Sequence, residues 1–401
     1  MIKIDALQLF KRSLILLLAA ALGGCSLFAP PSVEEPPPPP AEVEPQEVPL
    51  LTPVTWDEVD GWQDDDPALG LHAFLQSCRV LGKRAAWERV CREVQTFGLE
   101  DSAAVRRFFE QNFIPYQLRK PDGREQGTVT GYYVPDLNGS RHPSEVYTSP
   151  LYGVPDDMLT IDLADVYPEL KHMRLRGRVV GNRVIPYFDR ETIEANPELL
   201  EGHELLWVDN LVELFFLHIQ GSGRITLDDG EQLMAHYANQ NGYPFRSIGR
   251  VLIERDQIPA EGLSMQGIKA WARNNPDQVE ELLNQNPSFV FFDVYPYTGI
   301  PPGALGVPLT SGRSIAVDRR HVPLGAPVFL STSWPGTLDP LHRLMMAQDT
   351  GGAIKGEVRA DFFWGVGDEA GEFAGRMKEP GRMWLLLPAE MPVVAGKLSG
   401  S

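Results

Sequence analysis

The chain has 401 residues and carries 54 Asp and Glu against 36 Lys and Arg, a formal net charge of −18. Its length allows two domains. The charge balance argues against nucleic acid, whose binding depends on phosphate neutralisation by Lys and Arg, and suits a neutral or amphoteric polymer as ligand. No Gly-rich loop ends in Gly-Lys-Ser or Gly-Lys-Thr, so nothing points to phosphate chemistry.

Lys3, Lys11 and Arg12 form a basic head, followed by an apolar run from Ser13 to Gly24 that stops at Cys25. The run is shorter than the about 20 apolar residues that span a membrane, so residues 1–24 read as an export signal. Leu22-Gly23-Gly24-Cys25 resembles a lipoprotein box, which would make Cys25 the lipidated first residue of the mature chain; a cleaved signal with a free cysteine nearby is the alternative. Ser26 at the next position resembles lipoproteins sorted to the outer membrane. The expected location is therefore the outer membrane, lipid-anchored and facing the periplasm. Residues 25–54 are rich in Pro and Glu and have little to bury, which predicts an extended tether reaching roughly 80 Å.

From Pro67 to Asn112 the apolar spacing is helical. Leu71, Phe74, Leu75, Cys78 and Leu81 predict one helix ending at Gly82, Trp87, Cys91 and Val94 a second, and Val105, Phe108 and Phe109 a third. Export places Cys78 and Cys91 in an oxidising compartment, and paired antiparallel helices bring them within reach, so a disulfide is expected. Two buried free thiols are the alternative.

From Gly127 the texture changes to short strands punctuated by Gly and Pro: Thr128 to Val134, Val146-Tyr147, Arg178 to Ile185, Leu205 to Val208, Leu214 to Gln220 and Ile225 to Leu227. A mainly helical interval covers Ile248 to Asn284, with Trp271, Leu282 and Leu283 on its apolar face. Strands resume at Ser288 and continue to Leu387. The class is mainly β with some α.

Two acidic residues, Asp318 after Ile315-Ala316-Val317 and Asp349 after Leu344-Met345-Met346-Ala347, stand at or near strand ends beside glycine turns. Asp361 is set against Phe362, Phe363 and Trp364. A carboxyl beside aromatic surface loses hydration and keeps its proton near neutral pH, the form a general acid needs. Asp also favours turns and helix caps, and Asp368 reads as a helix N-cap. Adjacent Tyr132 and Tyr133 point opposite ways on a strand, so one should be buried and the other free to stack on a sugar. Gln220-Gly221-Ser222-Gly223 reads as a tight turn. His218 and His321 read as structural. No His, Cys and carboxylate set has ligand spacing, so no metal or other cofactor is expected.

Several of these segments together resemble one family. Val129-Thr130-Gly131-Tyr132-Tyr133, His218-Ile219-Gln220-Gly221-Ser222-Gly223, Arg246-Ser247-Ile248-Gly249, Asn286 to Phe292, Ala316-Val317-Asp318-Arg319, Pro323-Leu324-Gly325, Asp349 through Lys355-Gly356 and Arg359-Ala360-Asp361 are similar, in order, to the membrane-bound lytic murein transglycosylase A family with its three-aspartate domain. The resemblance implies a double-psi β-barrel formed by residues 55–134 and 290–390, an inserted smaller β-domain over 135–289, and a groove between them. It implies binding of peptidoglycan glycan strands and cleavage of the β-1,4 bond from N-acetylmuramic acid to N-acetylglucosamine without water, leaving a 1,6-anhydro end. Asp361 is the expected acid and then base, supported by Asp349. Tyr132, Tyr133, Gln220, Ser222, Gly223, Lys355 and Asp318 are the expected substrate-binding residues, with Asp318 also shaping a barrel turn. A two-carboxylate hydrolase of the same polymer and a non-catalytic wall-binding lipoprotein are the rival readings.

Overall fold

The computed structural model describes residues 49–391 apart from 98–100, 172 and 261–262, together with 393–394 and 397–398. The export signal, Cys25 and nearly all of the tether lie outside the described residues. Strand β1 (Leu51–Pro53) is followed by helices α1 (Ala68–Leu81), α2 (Ala85–Glu93) and α3 (Ser102–Asn112), as the periodicity predicts. Cys78 and Cys91 are joined in a disulfide between α1 and α2, with Cα atoms 5.3 Å apart. Strands β2 (Phe113–Leu118) and β3 (Gly127–Val134) then lead into the insert.

The insert runs through β4 (Asp136–Ser140), β5 (Ser149–Tyr152), β6 (Leu159–Thr160), β7 (Arg176–Val180), β8 (Arg183–Pro186), α4 (Arg190–Ala195), β9 (Glu204–Val208), α5 (Leu211–Gln220), β10 (Ser222–Leu227), β11 (Gln232–Gln240), α6 (Ile248–Glu254), α7 (Met265–Asn274), α8 (Val279–Asn284) and β12 (Val290–Pro296). Six of its strands form one sheet in the order β12-β11-β10-β4-β9-β5, and β6-β7-β8 form a separate three-stranded sheet. The chain then continues with β13 (Ser314–Val317), β14 (Pro327–Ser333), β15 (Pro340–Asp349), β16 (Arg359–Val366), α9 (Asp368–Arg376) and β17 (Lys378–Pro388).

The order β17-β14-β15-β13-β16-β3 closes on itself, because β3 also pairs with β17. Closure removes the open edges that a flat sheet would expose. Two of the pairs, β13 with β15 and β16 with β3, are parallel; the others are antiparallel. This ring is the barrel, and its core joins Ile315, Val328, Phe329, Met345 and Leu385 to Phe74, Phe108 and Phe109 of the lead-in helices. Asp65 fastens the lead-in to the barrel. Its carboxylate takes two hydrogen bonds from Arg313, at 2.7 and 2.8 Å, and one from the Leu344 amide at 2.7 Å.

Three expected strands differ from what forms. Leu214 to Gln220 lies in helix α5, capped by the Asn210 side chain, which accepts from the Val212 and Glu213 amides, and ended by Gly221 at φ 80°. The apolar run Leu214-Phe215-Phe216-Leu217 has no period to separate strand from buried helix, so the caps decide. Arg178 to Ile185 splits into the β7–β8 hairpin, turned at Gly181 with φ 62°. Val146-Tyr147 forms no strand, and the strand begins at Ser149. The N-cap of α9 is Gly367, at φ 88°, and Asp368 is the first helical residue instead.

Candidate active site

Four neighbouring barrel strands place Thr130, Asp361, Ala316 and Asp349 side by side. Thr130 pairs with Asp361, Asp361 with Ala316, and Ala316 with Asp349. Residues on one rung share a face. On that face Tyr132, Ala316, Phe363 and Ile354 pack with Met234 of β11, so the rung looks toward the inserted sheet.

Asp361 is half-buried, and its Oδ1 accepts a hydrogen bond from the Thr130 hydroxyl. Thr130 Oγ1 in turn accepts one from Arg359 Nη2 at 2.8 Å. Burial pushes the Asp361 carboxyl above its ordinary value, and neighbouring Asp349 pushes it the same way. The Thr130 hydrogen bond and the Arg359 charge oppose this without cancelling it. The aromatic surroundings differ from the expectation. Phe363 shares the face of Asp361 and packs on Tyr132 at 5.1 Å, whereas Phe362 belongs to the barrel core and Trp364 stacks on Phe373 at 4.8 Å. Alternation sends those two rings away.

Asp349 is held by three donors. Its Oδ1 accepts from the Ala304 and Thr350 amides at 2.9 and 2.8 Å, and its Oδ2 from the Tyr132 hydroxyl at 3.0 Å. Burial still raises its pKa against those donors. Three donors to one carboxylate favour its charged form, whereas Asp361 accepts from Thr130 alone. The Ala304 amide arrives because the chain before β13 folds tightly onto β15. A Cβ on Gly303 would stand 2.5 Å from the Gln348 carbonyl oxygen, so only glycine fits there.

Other expected site residues lie at varying reach. Tyr132 and Tyr133 are both buried, contrary to the expectation that one would be free, since helix α9 covers the far face of β3. Tyr133 packs on Ala370 and Ala374, and its amide donates to Gln220 Oε1 at 3.1 Å. Gln220 thus ties the end of α5 to the barrel. Ser222 Oγ sits 2.9 Å from His236 Nδ1 on the insert. Gly223 is buried, where a Cβ would meet Leu217 at 2.5 Å, so it serves packing. Asp318 is buried with its carboxylate committed to the Arg320 guanidinium and the Gly356 amide, the latter at 2.9 Å. Burial raises its pKa, but these donors outweigh burial and hold it well below the usual carboxylate range. It anchors the 350–358 loop, on which Lys355 is exposed. His218 is buried against Arg190, with Nδ1 2.9 Å from its guanidinium.

Three contributors escaped sequence reading: the Ala304 amide, Thr130 and Arg359. The last two lie inside motifs quoted above, and their separation along the chain hid their meeting. A cavity of about 830 Å³ within the insert, lined among others by Trp207, Glu213, Lys269 and Phe289, contains none of the expected residues. The carboxyl rung is the better candidate, because two half-buried acids with raised pKa values converge there.

Fold and site together define a barrel with an inserted β-domain facing a row of carboxyl groups. Family models named "MltA specific insert domain" and "3D domain" match residues 128–293 and 313–387. The chain is 33% identical over 281 residues to the membrane-bound lytic murein transglycosylase A of Escherichia coli, covering 68% of this chain and 69% of that protein. Among solved structures, the lytic transglycosylase LtgG of Burkholderia pseudomallei is 46% identical, with TM-score 0.61, over 86% of this chain and 96% of its own. E. coli MltA with bound chitohexaose is 28% identical, with TM-score 0.67, over 85% and 95%. The chain belongs to the membrane-bound lytic murein transglycosylase A family.

Proposed function

We infer that this protein is a lytic transglycosylase of peptidoglycan that cleaves the bond from N-acetylmuramic acid to N-acetylglucosamine without water. The observation that carries this reading is Asp361, a carboxyl raised by burial on a barrel face turned toward the insert. Its proton passes to the glycosidic oxygen as the bond from C1 breaks. The resulting carboxylate then takes the proton of the muramic acid 6-hydroxyl while that oxygen bonds to C1, closing the 1,6-anhydro ring. The two steps are sequential, and each leaves the carboxyl in the form the next requires. A nucleophile within the same sugar also carries a large effective-concentration advantage. Asp349 supports Asp361 electrostatically. Both its oxygens already accept protein donors, which argues against a second free carboxylate for hydrolysis.

The catalytic half comprises residues 55–134 and 297–390; β12 (Val290–Pro296), expected to open the second barrel segment, pairs with β11 in the inserted sheet instead, so 135–296 form the insert that closes the groove over the glycan. The chitohexaose complex of the E. coli relative supports a glycan in that groove. Among the described residues no helix is long and apolar enough to cross a membrane. The proposed attachment is through a lipid on Cys25 at the outer membrane, facing the periplasm. Cys25→Ala should move the protein from the membrane fraction to the soluble periplasm with activity intact; a variant still bound to membrane would place the anchor elsewhere. For the reaction itself, mass spectrometry of products from purified sacculi is decisive. Anhydro-muramic ends, one water lighter than reducing ends, are expected, and reducing ends would make the enzyme a hydrolase.

A further inference from the structure

In a chain with net charge −18, the stretch 171–183 inverts the sign: Lys171, Arg174, Arg176, Arg178 and Arg183 occur there without one acidic residue. The stretch leads into and through the β7–β8 hairpin of the insert. Arg174, exposed just before β7, reaches the barrel. A Cβ on Gly352 would stand 3.2 Å from its Nη1, and its guanidinium lies 5.9 Å from the ring of Tyr237, next to His236 on β11. Gly352 belongs to the loop that runs from Asp349 toward Asp361. Arg319 is exposed directly after Asp318, beside Arg320, whose charge Asp318 already neutralises. Lys355 stands on the same loop as Gly352, fixed next door by the Gly356 amide on Asp318. Burial lowers the Lys355 pKa, and Arg174, Arg320 and Arg319 push it further down while Asp318 opposes. The three side chains therefore share one neighbourhood, although they come from three separate segments.

Among the described residues, none of Arg174, Arg319 and Lys355 has a carboxylate within salt-bridge distance. Like charges held together repel, and an anion placed between them relieves that repulsion. We propose that Arg174, Arg319 and Lys355 form an anion site beside the catalytic rung that takes the carboxylates of the peptide stems attached to the glycan. The proposal rests on the transglycosylase reading. Stems project from muramic acid, the sugar whose bond is cut, so their carboxylates fall beside the site while the glycan lies in the groove. Guanidinium groups suit carboxylates by geometry as well as charge. An anionic lipid surface shares the charge but not the position, since Arg174 turns toward the catalytic loop.

The test compares sacculi with sacculi stripped of their peptides by an amidase, using the full-length protein in detergent. Arg174→Gln/Arg319→Gln should raise KM on intact sacculi about 5- to 10-fold at low salt, the combined effect of two exposed ion pairs. It should leave KM on stripped glycan unchanged, and the wild type should fall to the variant's level once the stems are removed. Arg174→Lys/Arg319→Lys should recover most of the loss, and Arg174→Glu/Arg319→Glu should deepen it. Equal losses on both substrates overturn the proposal, as does a wild type indifferent to stripping. So does a binding defect confined to phosphatidylglycerol vesicles. If the wild type forms no anhydro product on either substrate, the transglycosylase reading fails instead. Co-sedimentation with intact and stripped sacculi then still decides stem binding, because it needs no turnover.

Discussion

Asp349 and Asp361 flank Ala316 on a single rung of the barrel, each one strand away from it. Two strand spacings of about 4.8 Å separate their backbones, and only a methyl group stands between them. Asp349 accepts three donors, and burial raises the pKa of both carboxyls.

Asp361→Asn preserves shape and can still accept from Thr130, so turnover should fall on the order of a thousandfold with glycan binding retained. Its stability follows from the sign of the shift. A folded value above the ordinary 3.8 means that the native chain holds a proton the unfolded chain has released. The contribution of this group is complete below about 3.8 and is lost as pH rises toward the folded value. The variant should therefore match the wild type in Tm near pH 3 and exceed it progressively toward neutrality. A Tm difference independent of pH would remove the raised carboxyl from this account, and near-normal anhydro product would remove its catalytic role.

Asp349→Asn should be milder, lowering kcat about 10- to 100-fold. The negative charge of Asp349 raises the Asp361 pKa, so removing it lets Asp361 release its proton earlier. The alkaline limb of the kcat profile should shift to lower pH. A limb that stays in place would reduce Asp349 to a structural acceptor for Tyr132 and Ala304.

The sequence made the barrel legible where strands were short and bounded by Gly or Pro, as at Ala316-Val317 and Pro327 to Leu330. The helical lead-in was legible from its period. Helix α5 was not, because Leu214 to Leu217 is apolar throughout and only the caps at Asn210 and Gly221 reveal the helix. Asp361 and Asp349 could be singled out as acids beside apolar runs. Their shared rung depends on the register of β13 against two neighbours, which no local pattern encodes. The same holds for Thr130, more than two hundred residues from Asp361 in the chain. Burial of Tyr133 depends on α9, far along the chain, covering β3, and burial of Tyr132 on Met234 of the insert.

The Cys78–Cys91 bridge, with sequence separation 13, closes a short loop, worth about 3 kcal/mol through the unfolded state. Cys78→Ser/Cys91→Ser should lose about 2–3 kcal/mol in urea unfolding while keeping its activity at 25 °C. The lead-in touches the barrel through Gln348, which donates to the Ala73 carbonyl and Ser77 hydroxyl of α1. Those bonds do not need the disulfide. Unchanged unfolding, or activity lost from a folded variant, would contradict this division.

The most discriminating variants concern Thr130 and Arg359. Arginine has no acceptor, so its Nη2 donates to Thr130 Oγ1 and leaves the single hydroxyl hydrogen for Asp361 Oδ1. The oxygen that receives that hydrogen acts as acceptor, which favours the acid proton on Oδ2, because a carbonyl oxygen is the better acceptor. On the proposed mechanism Thr130 therefore sets which oxygen of Asp361 delivers the proton, and Arg359 holds Thr130. Thr130→Val keeps the shape and deletes the donor. It should lower kcat about 5- to 10-fold, the value of one hydrogen bond, with Thr130→Ser near normal. The Thr130 hydrogen bond lowers the Asp361 pKa, so its loss raises that pKa further and moves the alkaline limb to higher pH, opposite in sign to Asp349→Asn. Arg359→Met should shift the limb the same way, because the guanidinium charge also lowers the Asp361 pKa, and Arg359→Lys should shift it less. A fall in kcat with the limb unmoved would mean that Thr130 and Arg359 only brace the strand pair, and the proton on Oδ2 would lose its assignment.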